Sequence, residues 1–135
     1  MAKILLAEDD PSVRGFVHRA LEMDGHEVIA TEDGGLAAEA ALEHEGQFDL
    51  LLSDIKMPVM DGIALSLSIA AQYPDITILL MTGFADQRER AHGLDALVHD
   101  VVPKPFTLAD IRAKVAEALD GREAEKVTLA QSMGA

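Results

Sequence analysis

Four short segments carry the side chains best suited to act together. They are the acidic run Glu8-Asp9-Asp10, the carboxylate of Asp54, the hydroxyl of Thr82, and the ammonium of Lys104 between Pro103 and Pro105. Each has an ordinary use alone. Asp10 before Pro11 suits a helix N-cap, Asp54 a strand end, Thr82 before Gly83 a turn, and Lys104 a rigid loop with a solvated charge. Those uses do not account for the set. Carboxylates brought close together repel one another and are driven toward protonation unless a cation offsets them. Oxygen donors in a chain without cysteine favour a hard ion. Mg²⁺, which takes one or two carboxylates together with waters and phosphate oxygens, is the natural choice. A carboxylate can also attack phosphorus and form an acyl phosphate. Charge on the transferred oxygens then needs a metal and fixed cations or donors. In such chemistry Glu8 and Asp9 hold the metal, Lys104 pairs with one phosphoryl oxygen, and Thr82 donates to another.

These side chains meet only if the chain folds in one particular way. Short runs rich in leucine and β-branched residues recur at Lys3–Ala7, Glu27–Thr31, Phe48–Ser53, Ile76–Met81 and Ala96–Val102. Several lack alternation, as expected for strands buried on both faces. Helical signals fill the intervals. Asp10 and Pro11 open a helix whose apolar face carries Val13, Phe16, Val17, Ala20 and Leu21, with Gly25 at its exit. The stretch after Asp33-Gly34-Gly35 is rich in alanine and presents Leu36, Ala40 and Leu42. Asp61 caps a third helix that ends before Pro74. A polar helix is predicted over Asp86 to His92, and Thr107 with Asp110 forms a capping box ahead of Ile111, Val115 and Leu119. Five βα units predict an α/β fold, a doubly wound five-stranded parallel sheet with helices on both faces. Parallel strands deliver their carboxyl ends to one edge, which is where all four segments fall.

The matching segments are Ile4 to Asp10, Asp49 to Gly62 (DLLLSDIKMPVMDG), Leu80-Met81-Thr82-Gly83 and Lys104-Pro105-Phe106. In order and spacing they resemble the response-regulator receiver family, the CheY-like domains, over residues 3 to about 119. The Asp54 segment is the most specific of them. The resemblance implies the flavodoxin-like strand order 2-1-3-4-5. It also implies that Asp54 accepts phosphate from a histidine kinase or a histidine phosphotransferase. Glu8, Asp9, Asp54 and the backbone carbonyl of Lys56 are then the metal ligands, Asp9 the more direct of the acidic pair, with Thr82 and Lys104 assisting the transfer. Within the family, Met81 to Asp86 and His99 to Lys104 are most similar to a stand-alone cell-cycle regulator that delivers substrates to an AAA+ Clp protease. Two features depart from the common pattern. Val101 stands where receivers often carry a switching aromatic, so the signal is expected to travel by backbone shifts or other side chains. Lys56 and Phe84 flank the path of the hydrolytic water in the family, which predicts slow loss of the phosphoryl group.

The bulk composition narrows the alternatives. Acidic residues outnumber basic ones 24 to 11, for a formal charge of −13, and no basic stripe interrupts them, which disfavours nucleic acid. Hydrophobic residues make up 49% and there are no cysteines, so a packed core is expected without a disulfide framework or thiol chemistry. The apolar runs are too short to span a bilayer and no signal peptide is evident, predicting a cytoplasmic protein without membrane contact. The five histidines, His18, His26, His44, His92 and His99, show no metal-site spacing. A receiver over 1–120 followed by a tail or helix extension over 121–135 predicts output through protein contact, and the small apolar end Met133-Gly134-Ala135 suits recognition by a protease. A phosphorelay shuttle or phosphate sink without its own effector is the second reading. An aspartyl-phosphate phosphatase is the enzymatic alternative, disfavoured by Lys56 where a general acid belongs. A flavin module would need a phosphate-cradling loop, which the sequence lacks.

Overall fold

The computed structural model describes residues 1–83 and 93–132, with side chains through Gly121. Phe84, the polar helix expected over Asp86 to His92, and Met133-Gly134-Ala135 lie outside the described residues. Five strands, β1 (Lys3–Ala7), β2 (Glu27–Thr31), β3 (Leu50–Asp54), β4 (Thr77–Thr82) and β5 (Asp100–Pro103), form one parallel sheet in the order β2-β1-β3-β4-β5. The described helices are α1 (Pro11–Met23), α2 (Gly34–Glu43), α3 (Gly62–Gln72) and α4 (Leu108–Ser132).

The central strands read as continuous apolar runs because both faces are covered. Every residue of β3 is buried. One face packs Leu5, Leu51, Ile78 and Leu80 against α2 and α3, through Ala37, Ala41, Leu65 and Ile69. The other packs Ile4, Leu6, Leu52 and Met81 against α1 and α4, through Val17, Leu21, Ile111 and Val115. Three helix starts are fixed by aspartates. Asp10 accepts from the amides of Ser12 and Val13, Asp33 from Leu36, and Asp61 from Ala64. Thr107 and Asp110 bond reciprocally at 3.0 and 2.9 Å, the capping box expected before Ile111.

Three strands shift at their boundaries by one to four residues. Phe48 donates to Gly46 in a turn, so β3 starts at Leu50 and extends to Asp54. Ile76 turns back on Tyr73, so β4 starts at Thr77. Leu97 and Val98 both bond to the carbonyl of Leu94, and pairing with β4 begins only when His99 donates to Ile78. A second correction concerns α2. Leu36 and Leu42 stand 40% and 69% exposed, while Ala37, Ala40 and Ala41 face the sheet. Alanine lets the helix approach closely, and the leucines fall to its flanks. The backbone of α4 continues helically past Gly121 to Ser132.

Candidate functional site

β1 ends at Ala7, but Glu8 still donates its amide to Thr31 of β2 at 3.1 Å, so its backbone remains tied to the sheet. Its side chain is fully buried. One carboxylate oxygen accepts from Lys104 Nζ at 2.6 Å and the other from the amide of Asp10 at 3.1 Å. Asp10 itself turns away to cap α1, through Oδ1 at 2.8 and 3.2 Å from Ser12 and Val13. Asp9, between them, is exposed.

Asp54 closes β3, with Met81 as its register partner on β4. Its Oδ1 accepts from the Ile55 amide at 2.9 Å and its Oδ2 from Lys104 Nζ at 3.0 Å. Lys104 follows β5 directly, its amide bonded to the carbonyl of Thr82 at 2.8 Å. One ammonium therefore bridges the ends of β1 and β3. Glu8, Asp9 and Asp54 each offer an oxygen within 4.8 Å of the others. They line an open cleft of about 490 Å³ whose opposite wall is Lys56-Met57-Pro58. Thr82 is 3% exposed at the end of β4, opposite Pro103, and does not line this cleft.

Burial sets the electrostatics. Desolvation pushes the Glu8 carboxyl up to about 7, and the nearby Asp54 charge adds to this against the hydrogen bond from Lys104. Burial pulls the Lys104 ammonium down, but its bonds to Glu8 and Asp54 outweigh that and leave it above the ordinary lysine range. A hard divalent cation fits the donor set, since all three converging groups are carboxylates. Both oxygens of Glu8 already have donors, whereas Asp9 faces solvent, so Asp9 is the group best placed to reach an ion first.

The loop after Asp54 has no clearance. A methyl group built on Gly62, the first residue of α3, would collide with the carbonyl oxygen of Asp54. One built on Gly34, the first residue of α2, would collide with the carbonyl oxygen of Met60. Between these contacts Val59 is held at φ 70°, a conformation a β-branched residue rarely adopts, with its side chain 85% exposed. Val101 is half-buried against the α2–α3 side of the core.

Sequence reasoning brought Glu8, Asp9, Asp54 and Lys104 to one edge, where they are found together. It missed Arg14, whose Nη1 donates to the carbonyls of Glu8 at 2.9 Å and Asp9 at 3.4 Å. The available signal was a basic residue one turn into the helix that follows the acidic run.

Comparison with known proteins bears directly on this geometry. Residues 4–116 match the response regulator receiver domain. The response regulator receiver protein CpdR of Brucella abortus is 39% identical over 119 residues, covering 88% of this chain and 98% of CpdR. The transcriptional regulatory protein PrrA of Mycobacterium tuberculosis is 32% identical over 120 residues; the match takes in 89% of this chain and about half (51%) of PrrA. Among solved structures, the response regulator TrrA of Thermotoga maritima, in complex with Mg²⁺ and BeF, superposes with a TM-score of 0.74 at 28% identity, covering 87% of this chain and 99% of that one. Strand order, acidic cluster and sequence agree, and the chain belongs to the response regulator receiver family.

Proposed function

We propose that Asp54 accepts a phosphoryl group from a histidine kinase or a histidine phosphotransferase in a Mg²⁺-dependent reaction, and that its phosphorylation state governs binding to a protein partner. The observation that carries this reading is the bridging of Glu8 and Asp54 by Lys104 beside the exposed Asp9. Receivers are phosphoacceptors, and TrrA binds Mg²⁺ with BeF in a fold of this kind.

An Asp54 oxygen attacks phosphorus while the bond from phosphorus to the donor imidazole nitrogen breaks. Glu8, Asp9, Asp54 and the carbonyl of Lys56 would hold a magnesium ion, which would supply neutralisation of charge on the transferred oxygens. Lys104 exchanges a carboxylate for a phosphoryl oxygen, and the Thr82 hydroxyl turns toward another. The similarity to CpdR supports a finer reading, an adaptor whose effector is an AAA+ Clp protease, acting in the cytoplasm without DNA. No described helix is long and apolar enough to cross a membrane. A receiver over 1–120, extended by 121–135, fits that role.

The test is incubation with Mg²⁺ and acetyl phosphate, followed by intact mass. One phosphoryl adduct is expected on the wild type and none on Asp54→Ala. Steady release of phosphate from added phosphate esters would instead support a phosphatase. Pull-downs with the beryllofluoride-loaded and free forms separate an adaptor from a relay shuttle, because only the adaptor retains a state-dependent effector.

A further inference from the structure

The Glu8 amide is tied to Thr31, its carboxylate has its donors and Asp10 serves α1; the carbonyls of Glu8 and Asp9, on the stretch that leads into the cleft, are held separately. The first intrahelical bond of α1 runs from the Arg14 amide to the carbonyl of Asp10 at 2.9 Å, so the carbonyls of Glu8 and Asp9 lie upstream of the helix ladder. The bond to the Glu8 carbonyl is partly buried, where a carbonyl needs a donor, and the one to the Asp9 carbonyl is exposed. Helical side chains tilt toward the helix N-terminus, so a residue in the first turn can reach back over the preceding loop. Arg14 does this, and a single guanidinium nitrogen serves both carbonyls, at 2.9 and 3.4 Å. Arg14 also lines a separate cavity of about 440 Å³ with Thr31, Glu32 and Glu39. Arg14 is absent from the lining of the acidic cleft.

We infer that Arg14 is a positioning residue for the cation site: its guanidinium clamps the Glu8 and Asp9 carbonyls so that the two carboxylates converge with Asp54. The inference rests on the cation-site reading given above. It makes a prediction whose sign is informative. Removing a positive charge near a cation site by electrostatics alone strengthens cation binding. Releasing the clamp weakens it, because the carboxylates no longer share one geometry, and outer groups that orient metal ligands are worth roughly 10- to 100-fold in affinity.

The experiment is titration of the full chain with Mg²⁺ alone by calorimetry, for the wild type, Arg14→Met, Arg14→Lys and Asp9→Asn, with the melting temperature of each in chelator. Arg14→Met is expected to bind Mg²⁺ roughly 10-fold more weakly. Arg14→Lys, which keeps the charge and a donor nitrogen, is expected to recover most of that loss and guards against a folding failure in the first variant. Unchanged or tighter binding by Arg14→Met, or no recovery by Arg14→Lys, overturns the clamp. If the wild type and Asp9→Asn bind alike, the cation-site reading itself falls, and the role of Arg14 with it. If only Asp9→Asn is impaired, the cation site stands and Arg14 is excluded from it.

Discussion

Two of the ion-paired clusters that join distant segments among the described residues differ in nearly everything except their chemistry. At the carboxyl edge of the sheet, Lys104 holds the fully buried Glu8 and the nearly buried Asp54. Behind the sheet, Arg112 of α4 grips Asp24 at the end of α1 through Nε at 3.0 and 3.1 Å and through a second nitrogen. The second pair has the better geometry, two donors in a fork against one carboxylate. It lies at the surface, however, where water and salt screen it and its role is to tether two helices. The first has one cation between two acids in a partly dry cleft, where burial itself perturbs protonation. Good geometry in water makes a fastening; imperfect neutralisation out of water makes a reactive site.

The largest effect expected from breaking this contrast comes from Lys104→Met. It leaves two buried acids without their cation, and we expect a loss of about 3 kcal/mol in chelator at pH above 7, at the low end for broken buried pairs because the cleft is open. Urea melts check this, and Mg²⁺ should restore part of the loss. Next is the pH dependence of cation binding. Glu8 is raised to about 7, so below that pH the ion must displace a proton. Mg²⁺ affinity should therefore climb with pH up to about 7 and level off above it, as isothermal titration at several pH values would read. The same shift has the opposite sign for stability. The folded chain holds the Glu8 proton more tightly than the unfolded one, so this contribution is complete below 4.5 and is lost as pH rises through about 7. The smallest effect is that of Arg112→Met. The Asp24 carboxyl is held low mainly by its hydrogen bonds to Arg112. Its stabilisation is present above 3.8 and disappears as pH falls through the lowered value. Thermal melts should show a small decrease at neutral pH that shrinks in high salt, with Mg²⁺ affinity unchanged.

The division between what the sequence disclosed and what it did not follows the same physical line. Strands buried on both faces leave uninterrupted apolar runs, and Asp10, Asp61 and the Thr107–Asp110 pair announce helix starts through local hydrogen bonds. From these, a parallel sheet follows and the carboxyl edge is located, which brings Glu8, Asp9, Asp54 and Lys104 together. The contacts that escaped are those decided by distance between backbones. Leu36, Ala40 and Leu42 looked like the inner face of α2, yet of the three only Ala40 is buried, beside Ala37 and Ala41, and the leucines stand exposed. β5 looked longer because Ala96 to Val98 are apolar, but the Leu97 and Val98 amides turn back on the Leu94 carbonyl before pairing begins. Arg14 left only a faint mark, a basic residue one turn into the helix after the acidic run, since a side chain that bonds to main-chain carbonyls requires nothing of the residue types it touches.

Gly34 and Gly62 bring main chain against main chain on either side of the loop that follows Asp54, with no side chain between to compress or rotate. A joint of this kind has no backlash. Any displacement of the Met60 or Asp54 carbonyl must be taken up at once by the helix it abuts, because packed interiors yield very little. In a chain with Val101 where a pivoting ring often stands, motion at Asp54 can leave through this joint as a rigid push on α2 and α3.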